Sequence, residues 1–458
     1  MATISGKLGV WADIQYTAQW GLLDAGEHVG VNRQSLTDND RHVRDWFVDQ
    51  AKDLGCEVRV DEMGNTFAVM PGEMEHLPPI GMGGHLDTQP AGGRFDGILG
   101  VISALHVLRA VKQSGIKTYA PLAAINWTNE EGSRFNKMCS GSGVWSGEEN
   151  LDAVHTLADL SEPEKTMRTE LERIGYRGDT PCSHQKNPLS AHFELHIEQG
   201  PRLENSQKKV AVVTGVQGMR WYEIRCQGTE AHAGATPMTD RADALVVLAK
   251  FTVKVEELAR REGAFGTVGI LTTNTKSPNT VPGKSFCSLD LRCVKEEVLD
   301  TIEGELREYL KEMERERPGI SSTMDRTWYK KSVSFDSIAR NCVRSAARKV
   351  VGESLVEELV SYAAHDSAET AHVTPTAMIF TPSKDGISHN PAEFTTEEDC
   401  RFPIPIIFHL VEVSVAKCKE PSTPAAPQYE RKLGILDNAN NVSHLYPAWA
   451  LTETSRVL

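Results

Sequence analysis

Four short clusters along the chain carry side chains that serve acid–base and metal chemistry. His85-Leu86-Asp87-Thr88 is followed by Asp96-Gly97, eleven residues beyond the histidine. Asn129-Glu130-Glu131-Gly132 comes second, His196 with Gln199 third, and Gly386-Ile387-Ser388-His389-Asn390 fourth. In His-x-Asp on an extended segment both side chains face one way, so the aspartate can orient the imidazole or ligate a metal itself. Adjacent carboxylates in a closed site repel unless a cation or a proton separates their roles. Each cluster also has an ordinary explanation: a local hydrogen bond for His85 and Asp87, solvated surface for Glu130 and Glu131, a loop position for His389. Together they offer three histidines and four carboxylates, the nitrogen and oxygen ligands that borderline divalent ions prefer. Two ions ~3.5–4 Å apart, sharing a carboxylate, account for so many ligands. Spacing alone leaves the metal site and the solvated surface both open.

The elements that must position these residues follow from apolar periodicity. Val43, Phe47, Ala51 and Leu54 share one helical face over 40–54, and Gly55 can close that helix. Strand-like runs follow at Glu57–Val60 and Thr66–Met70, then a strand ending at His85, a buried helix over 98–111 and a buried strand over 122–127. This alternation predicts an α/β domain, whose ligands gather beyond the carboxyl ends of the strands. Over 191–199, Phe193, Leu195 and Ile197 face one way and His192, Glu194, His196 and Glu198 the other, as on an exposed edge or the wall of a polar site. From Gly218 the rhythm changes to strand 220–227, helix 241–261, strand 267–273, strand 285–293, helix 295–316 and strand 321–328. That β-α-β-β-α-β order predicts a ferredoxin-like unit inserted into the larger domain. A helix over 335–351 and a strand over 376–381 complete the larger domain.

Composition bounds the function classes. The 458 residues are 40% apolar and 24% charged, with 49 basic and 63 acidic side chains and a formal charge of −14. Such a field disfavours nucleic acid and anionic membrane as partners. No run approaches the ~18 apolar residues of a membrane span, and no secretory leader is legible. Nine cysteines without a C-x-x-C pair favour free thiols and a cytoplasmic setting. Beyond Lys419 a Pro-rich stretch reads as a solvated linker and tail over 419–458.

The longer strings carry a resemblance. His85-Leu86-Asp87-Thr88-Gln89-Pro90, Phe95-Asp96-Gly97-Ile98-Leu99-Gly100, Asn129 to Phe135, and Phe193 to Pro201 resemble the M20-type di-metal amidohydrolases. Ala231 to Pro237 and Pro382 to His389 extend the match, which runs from about residue 10 to 418. Within that family the sequence is most similar to the β-alanine synthase, N-carbamoyl-L-amino-acid hydrolase and allantoate amidohydrolase group, and looks most like the yeast-type β-alanine synthases. The resemblance implies a di-metal aminopeptidase-like catalytic domain over 1–214 and 331–418, and an inserted ferredoxin-like lid and dimerisation domain over 215–330. It implies two divalent ions per subunit, Zn2+ first, with Mn2+, Co2+ or Ni2+ as alternatives. His85 and His196 would hold one, Glu131 and His389 the other, and Asp96 would bridge them. Asp87 would orient His85, and Glu130 would shuttle a proton from the attacking water to the leaving nitrogen. His232 would stabilise the oxyanion, from its own or the partner subunit of a homodimer. Asn279 and Arg292 would grip the substrate carboxylate, with Gln199 and His365 as further contacts; a salt bridge from Arg292 to Asp290 is the plain structural alternative.

The implied reaction is hydrolysis of an N-carbamoyl amino acid to the free amino acid, CO2 and NH3. N-carbamoyl-β-alanine comes first as substrate, N-carbamoyl-L-α-amino acids second and allantoate third. An M20-like aminoacylase or exopeptidase fits less well, because that branch commonly has a carboxylate where His196 stands. A catalytically silent binding protein is the non-enzyme alternative. One departure stands out: relatives carry Ser-Gly-Ala-Gly where this chain has Ser361-Tyr362-Ala363-Ala364, and side chains there restrict backbone angles that glycine allows.

Overall fold

The computed structural model describes residues 9–25 and 28–416, and the Pro-rich tail read over 419–458 lies outside them. The chain divides into two units, one comprising residues up to Thr214 together with those from Phe335 onward, the other Gly215–Ser334. No helix among the described residues is long and apolar enough to cross a membrane.

The larger unit is built on one mixed sheet. Its spatial order is Glu57–Val60, Thr66–Met70, Leu122–Trp127, Ile80–His85, Ala191–Ile197, Thr376–Thr381 and Val210–Val216, with Val356–Ser361 also pairing the last strand. The four strands from Leu122–Trp127 to Thr376–Thr381 run parallel and the flanking ones antiparallel. The strand Ala191–Ile197 is central, and all seven residues are buried, so its His192, Glu194 and His196 form an interior polar wall rather than an edge. Helix Ile98–Ser114 buries ten apolar side chains between Ile98 and Val111, as a helix covered on most of its surface must. It packs with Val43, Phe47, Phe193, Leu195 and Ile407 in one apolar cluster. Helix Asp38–Asp53 starts where the Thr37 side chain accepts from the Asp40 N–H. Helix Pro403–Ala416 also covers this core, through Ile404, Ile406, Ile407, Phe408, Leu410 and Val411.

The smaller unit has the 4-1-3-2 strand order of a ferredoxin-like fold: Ser321–Lys330, Gly218–Gln227, Lys284–Cys293, then an edge. The edge departs from the single strand expected over 267–273. Two short strands, Phe265–Thr267 and Leu271–Thr273, pair Lys284–Cys293 on either side of a break containing Gly269. The first helix begins at Ala244 rather than Arg241, because the Asp243 carboxylate caps Leu245 and Val246. Val247, Phe251 and Leu258 from that helix, and Ile302, Leu306 and Leu310 from helix Glu296–Glu316, bury against Ile224, Cys287 and Leu289. Phe251→Ala should therefore lower the unfolding free energy by about 3–5 kcal/mol in urea titration. A loss below ~1 kcal/mol would mean the helices do not pack on the sheet as described.

Candidate metal and catalytic centre

Each ligand candidate sits at or just past the carboxyl end of a parallel strand. His85 ends Ile80–His85, His196 lies at the end of Ala191–Ile197, Glu130 and Glu131 follow Leu122–Trp127, and His389 follows Thr376–Thr381. The Glu130–Glu131 loop turns because Asn129 takes a left-handed backbone (φ 57°), which its short side chain tolerates while donating to the carbonyls of Phe135 and Lys137. Asp96 precedes Gly97, whose φ is +68° and where a Cβ would lie 2.3 Å from the His85 ring. Only glycine lets the backbone approach that imidazole.

The candidates converge in two groups that share Asp96. His85, Asp96 and His196 offer ligand atoms within 4.8 Å of one another, and so do Asp96, Glu131 and His389. His196 Nδ1 lies 2.9 Å from the Ile197 carbonyl and His85 Nδ1 2.9 Å from the Asp87 carbonyl. A carbonyl only accepts, so both rings carry a proton on Nδ1 and turn Nε2 inward, where it can take a second proton or bind a metal. Both Nε2 atoms face Asp96 Oδ1, at 3.0 Å from His196 and 3.6 Å from His85. His196 Nε2 is buried and makes no hydrogen bond. Two imidazole Nε2 atoms converging on a buried carboxylate call for a proton or a metal ion among them, and the donor set fits a divalent ion. On the other side, His389 Nε2 lies 3.3 Å from Asp96 Oδ2 and 3.4 Å from Glu131 Oε2.

The electrostatics follow from burial. Asp96, Glu130 and Glu131 are 5%, 6% and 7% exposed, and the ion-pair partners that reach them are histidines. Burial alone would raise Asp96, but His196, His389 and His85 hold it well below the ordinary carboxylate value. Glu130 is pushed well above its usual value by burial, with Asp366, Glu131 and Asp96 adding to it against the pull of His85. Its carboxylate stands 3.4 Å from His85 Nε2.

Other expected residues fall into place differently. Asp87 touches His85 Nδ1 through its main-chain carbonyl, while its carboxylate accepts from the Glu130 and Glu131 N–H groups at 3.3 Å each. Gln199 donates to Asp96 Oδ2 at 2.8 Å, so its amide is directed at the ligand cluster. His365 is buried, its ring centroid 4.5 Å from that of His196 and its Nε2 2.8 Å from Ser361 Oγ. No residue of 361–364 appears among the described positive-φ positions, so that loop folds without the conformations reserved for glycine. In the smaller unit, His232 and Asn279 meet: Ala231–His232 pairs Thr280–Val281, and the Ala233 N–H donates to the Asn279 carbonyl at 2.8 Å. Arg292 forms two-pronged contacts with Asp290, 2.8–3.1 Å, the plain alternative weighed from sequence.

Sequence reasoning missed Gln89, Ser388 and Glu393. Gln89 donates to both Glu131 oxygens, from its main chain at 3.1 Å and its side chain at 2.7 Å. Ser388 Oγ lies 3.1 Å from Asp96 Oδ2 and 2.9 Å from Glu393 Oε2. The available signal was their adjacency to motif residues, four after His85, one before His389 and four after it.

Residues 81–412 match peptidase family M20/M25/M40. An N-carbamoyl-L-amino-acid amidohydrolase of Rhizobium meliloti is 38% identical, over 88% of this chain and 95% of that one. A ureidoglycolate hydrolase of Oryza sativa subsp. japonica is 30% identical, over 81% of this chain and 77% of that one. The crystal structure of an amidase of the hydantoinase/carbamoylase family from Burkholderia multivorans superposes with a TM-score of 0.81 at 40% identity, covering 89% and 97%.

Proton linkage in the cation-free cluster can be checked directly. Burial and Asp96 push Glu131 from 4.5 to about 7, and the Asp96 hydrogen bond, with the Glu131 charge adding to it, lifts His389 from 6.5 to about 9. Both folded-state values lie above the unfolded ones, so the native cluster binds protons more tightly and stability falls as pH rises. The windows are about 4.5–7 for Glu131 and about 6.5–9 for His389. Chelator-treated protein should show a falling thermal midpoint from about pH 5 to about pH 9, and Zn2+ should restore more at about pH 8 than at about pH 6. A midpoint flat or rising over that range would contradict the clustering.

Proposed function

The chain belongs to peptidase family M20/M25/M40, a family of hydrolytic enzymes, and from that membership and the site geometry we propose that it hydrolyses the carbamoyl C–N bond of an N-carbamoyl amino acid. The products are the free amino acid, CO2 and NH3. The observation that carries this proposal is Asp96 shared between two ligand groups, in a chain 38% identical to an N-carbamoyl-L-amino-acid amidohydrolase. N-carbamoyl-L-α-amino acids come first as substrates on that likeness, ahead of N-carbamoyl-β-alanine.

His85, His196 and Asp96 would hold one divalent ion, and Asp96, Glu131 and His389 a second, both Zn2+ by preference for this donor set. When bound, such ions polarise a carbonyl and acidify water. Glu130, buried and disposed to hold a proton, would take one from the attacking water and deliver it to the departing nitrogen. The Asp87 carboxylate steadies that base by gripping the N–H groups of Glu130 and Glu131. His232 Nδ1 accepts from the Gly234 and Ala235 N–H groups at 3.1 and 3.2 Å, which leaves its proton on Nε2. An exposed Nε2–H is the donor an anionic carbonyl oxygen needs. Arg292, with Asn279, would bind the substrate carboxylate by exchanging Asp290 for it, a swap between like anions that a guanidinium makes in the same planar geometry. Gln199 and His365 complete the substrate side. The same proposal takes Gly215–Ser334 as lid and homodimer interface, and the cytoplasm as the setting.

A second reading, hydrolysis of a ureido acid such as ureidoglycolate, is favoured by the likeness to the rice hydrolase. Ammonia release from N-carbamoyl-L-methionine, N-carbamoyl-β-alanine and ureidoglycolate separates the substrates. Glu130→Gln should lower kcat on the accepted substrate by at least ~100-fold with KM little changed. Activity retained within a few-fold would remove Glu130 from the proton-transfer role.

A further inference from the structure

Glu393 lies outside the motifs read from sequence, yet its carboxylate is buried and engaged on both oxygens. Oε1 accepts from the Phe95 N–H at 2.9 Å and the Asp96 N–H at 3.1 Å, and Oε2 lies 2.9 Å from Ser388 Oγ. One side chain thereby grips the segment bearing Asp96 and the loop bearing His389. A tight turn aims it there: the Ala392 N–H donates to Asn390 Oδ1 and the Glu393 N–H to the Asn390 carbonyl, both at 2.9 Å. Gly93 makes room for it, since a Cβ at that position would lie 2.0 Å from Glu393 Oε1.

The two ligand groups differ in what holds them. His85 and His196 belong to central strands, whose ladders fix them. His389 stands on a loop with a left-handed backbone (φ 53°) and a side chain 49% exposed. Its loop is tied to the Asp96 segment through Ser388, which Glu393 and Gln199 engage.

We propose that Glu393 is a positioning residue that locks the Asp96 segment to the His389 loop and so sets the geometry of the Asp96–Glu131–His389 group, leaving the His85–His196 group to the sheet. This rests on the two-ion reading above. Asp96 serves both groups, but only its partner His389 stands on the gripped loop, so loss of the grip weakens the Asp96–Glu131–His389 ion more than the other. Outer partners of metal ligands typically contribute about 10–100-fold to affinity.

The test is equilibrium dialysis of chelator-stripped protein against Zn2+, with bound metal counted by elemental analysis, alongside thermal unfolding of the stripped samples. Wild type should bind two ions per chain. Glu393→Ala should keep one tight ion and lose about 10–100-fold affinity for the other. Glu393→Gln, whose amide oxygen still accepts from Phe95 and Asp96, should recover most of that loss. Ser388→Ala, which removes both the Glu393 link and the direct contact with Asp96 Oδ2 without emptying the Glu393 pocket, should weaken the same ion more than the other and serves if Glu393→Ala fails to fold. Equal weakening of both ions, unchanged affinities with only a lowered midpoint of the stripped protein, or a Gln variant as weak as Ala would each overturn the proposal. Fewer than two ions in wild type would instead overturn the two-ion reading, and the proposal with it.

Discussion

Two imidazole nitrogens aimed at one carboxylate oxygen are the constraint around which this site is arranged. His85 and His196 each use Nδ1–H on a main-chain carbonyl, so their Nε2 atoms meet Asp96 Oδ1 in a buried space. Lone pair against anion is repulsive, and low local dielectric magnifies the repulsion. Only a proton or a metal ion placed among the three relieves it. The carbonyls that take both Nδ1 protons leave the two Nε2 atoms aimed in the same direction, an arrangement suited to donating electron pairs to one ion.

That convergence is affordable because the sheet does the positioning. Four parallel strands bring their carboxyl ends to one edge, and the site residues leave from those ends or the loops just beyond. Backbone contacts then fix the loops: Asp87 holds Glu130 and Glu131, Gln89 holds Glu131, and Glu393 holds Asp96. His389 is the ligand candidate least supported by regular structure, which makes its half of the cluster the more adaptable one. In the smaller unit, the pairing of Ala231–His232 with Thr280–Val281 brings His232 beside Asn279, the turn residue just before the second strand.

The chain made the strands legible where one pattern dominated. Glu57–Val60, Thr66–Met70, Leu122–Trp127 and Thr376–Thr381 were readable to the residue because most of their ends abut proline or a polar residue: Asp61, Asn65, Pro71, Pro121, Thr128, Pro375 and Pro382. The two-sided identity of Ala191–Ile197 was not decidable, since alternation of His and Glu with apolar residues fits an edge as well as a buried polar wall. The break in the edge strand at 268–270 was hidden for a related reason, as β-branched residues and threonines run through it. Ligand candidates were visible by type and motif, but the atoms through which neighbours act were not. Asp87 was expected to steady His85 with its carboxylate and does so with its carbonyl, a distinction set by backbone path alone. Glu393 escaped notice because a glutamate in an Asn-Pro-Ala-Glu turn looks like solvated surface until the fold closes over it.

The most direct measurement is an anomalous-difference map from crystals of the Zn2+-loaded protein, recorded on both sides of the zinc edge. Two peaks per chain should flank Asp96, one coordinated by the Nε2 atoms of His85 and His196 with Oδ1, the other by His389, Glu131 and Oδ2. A map with no peak at Asp96, or with the metal on other residues and the two imidazoles protonated against the carboxylate, would contradict the assignment of this cluster as a metal centre.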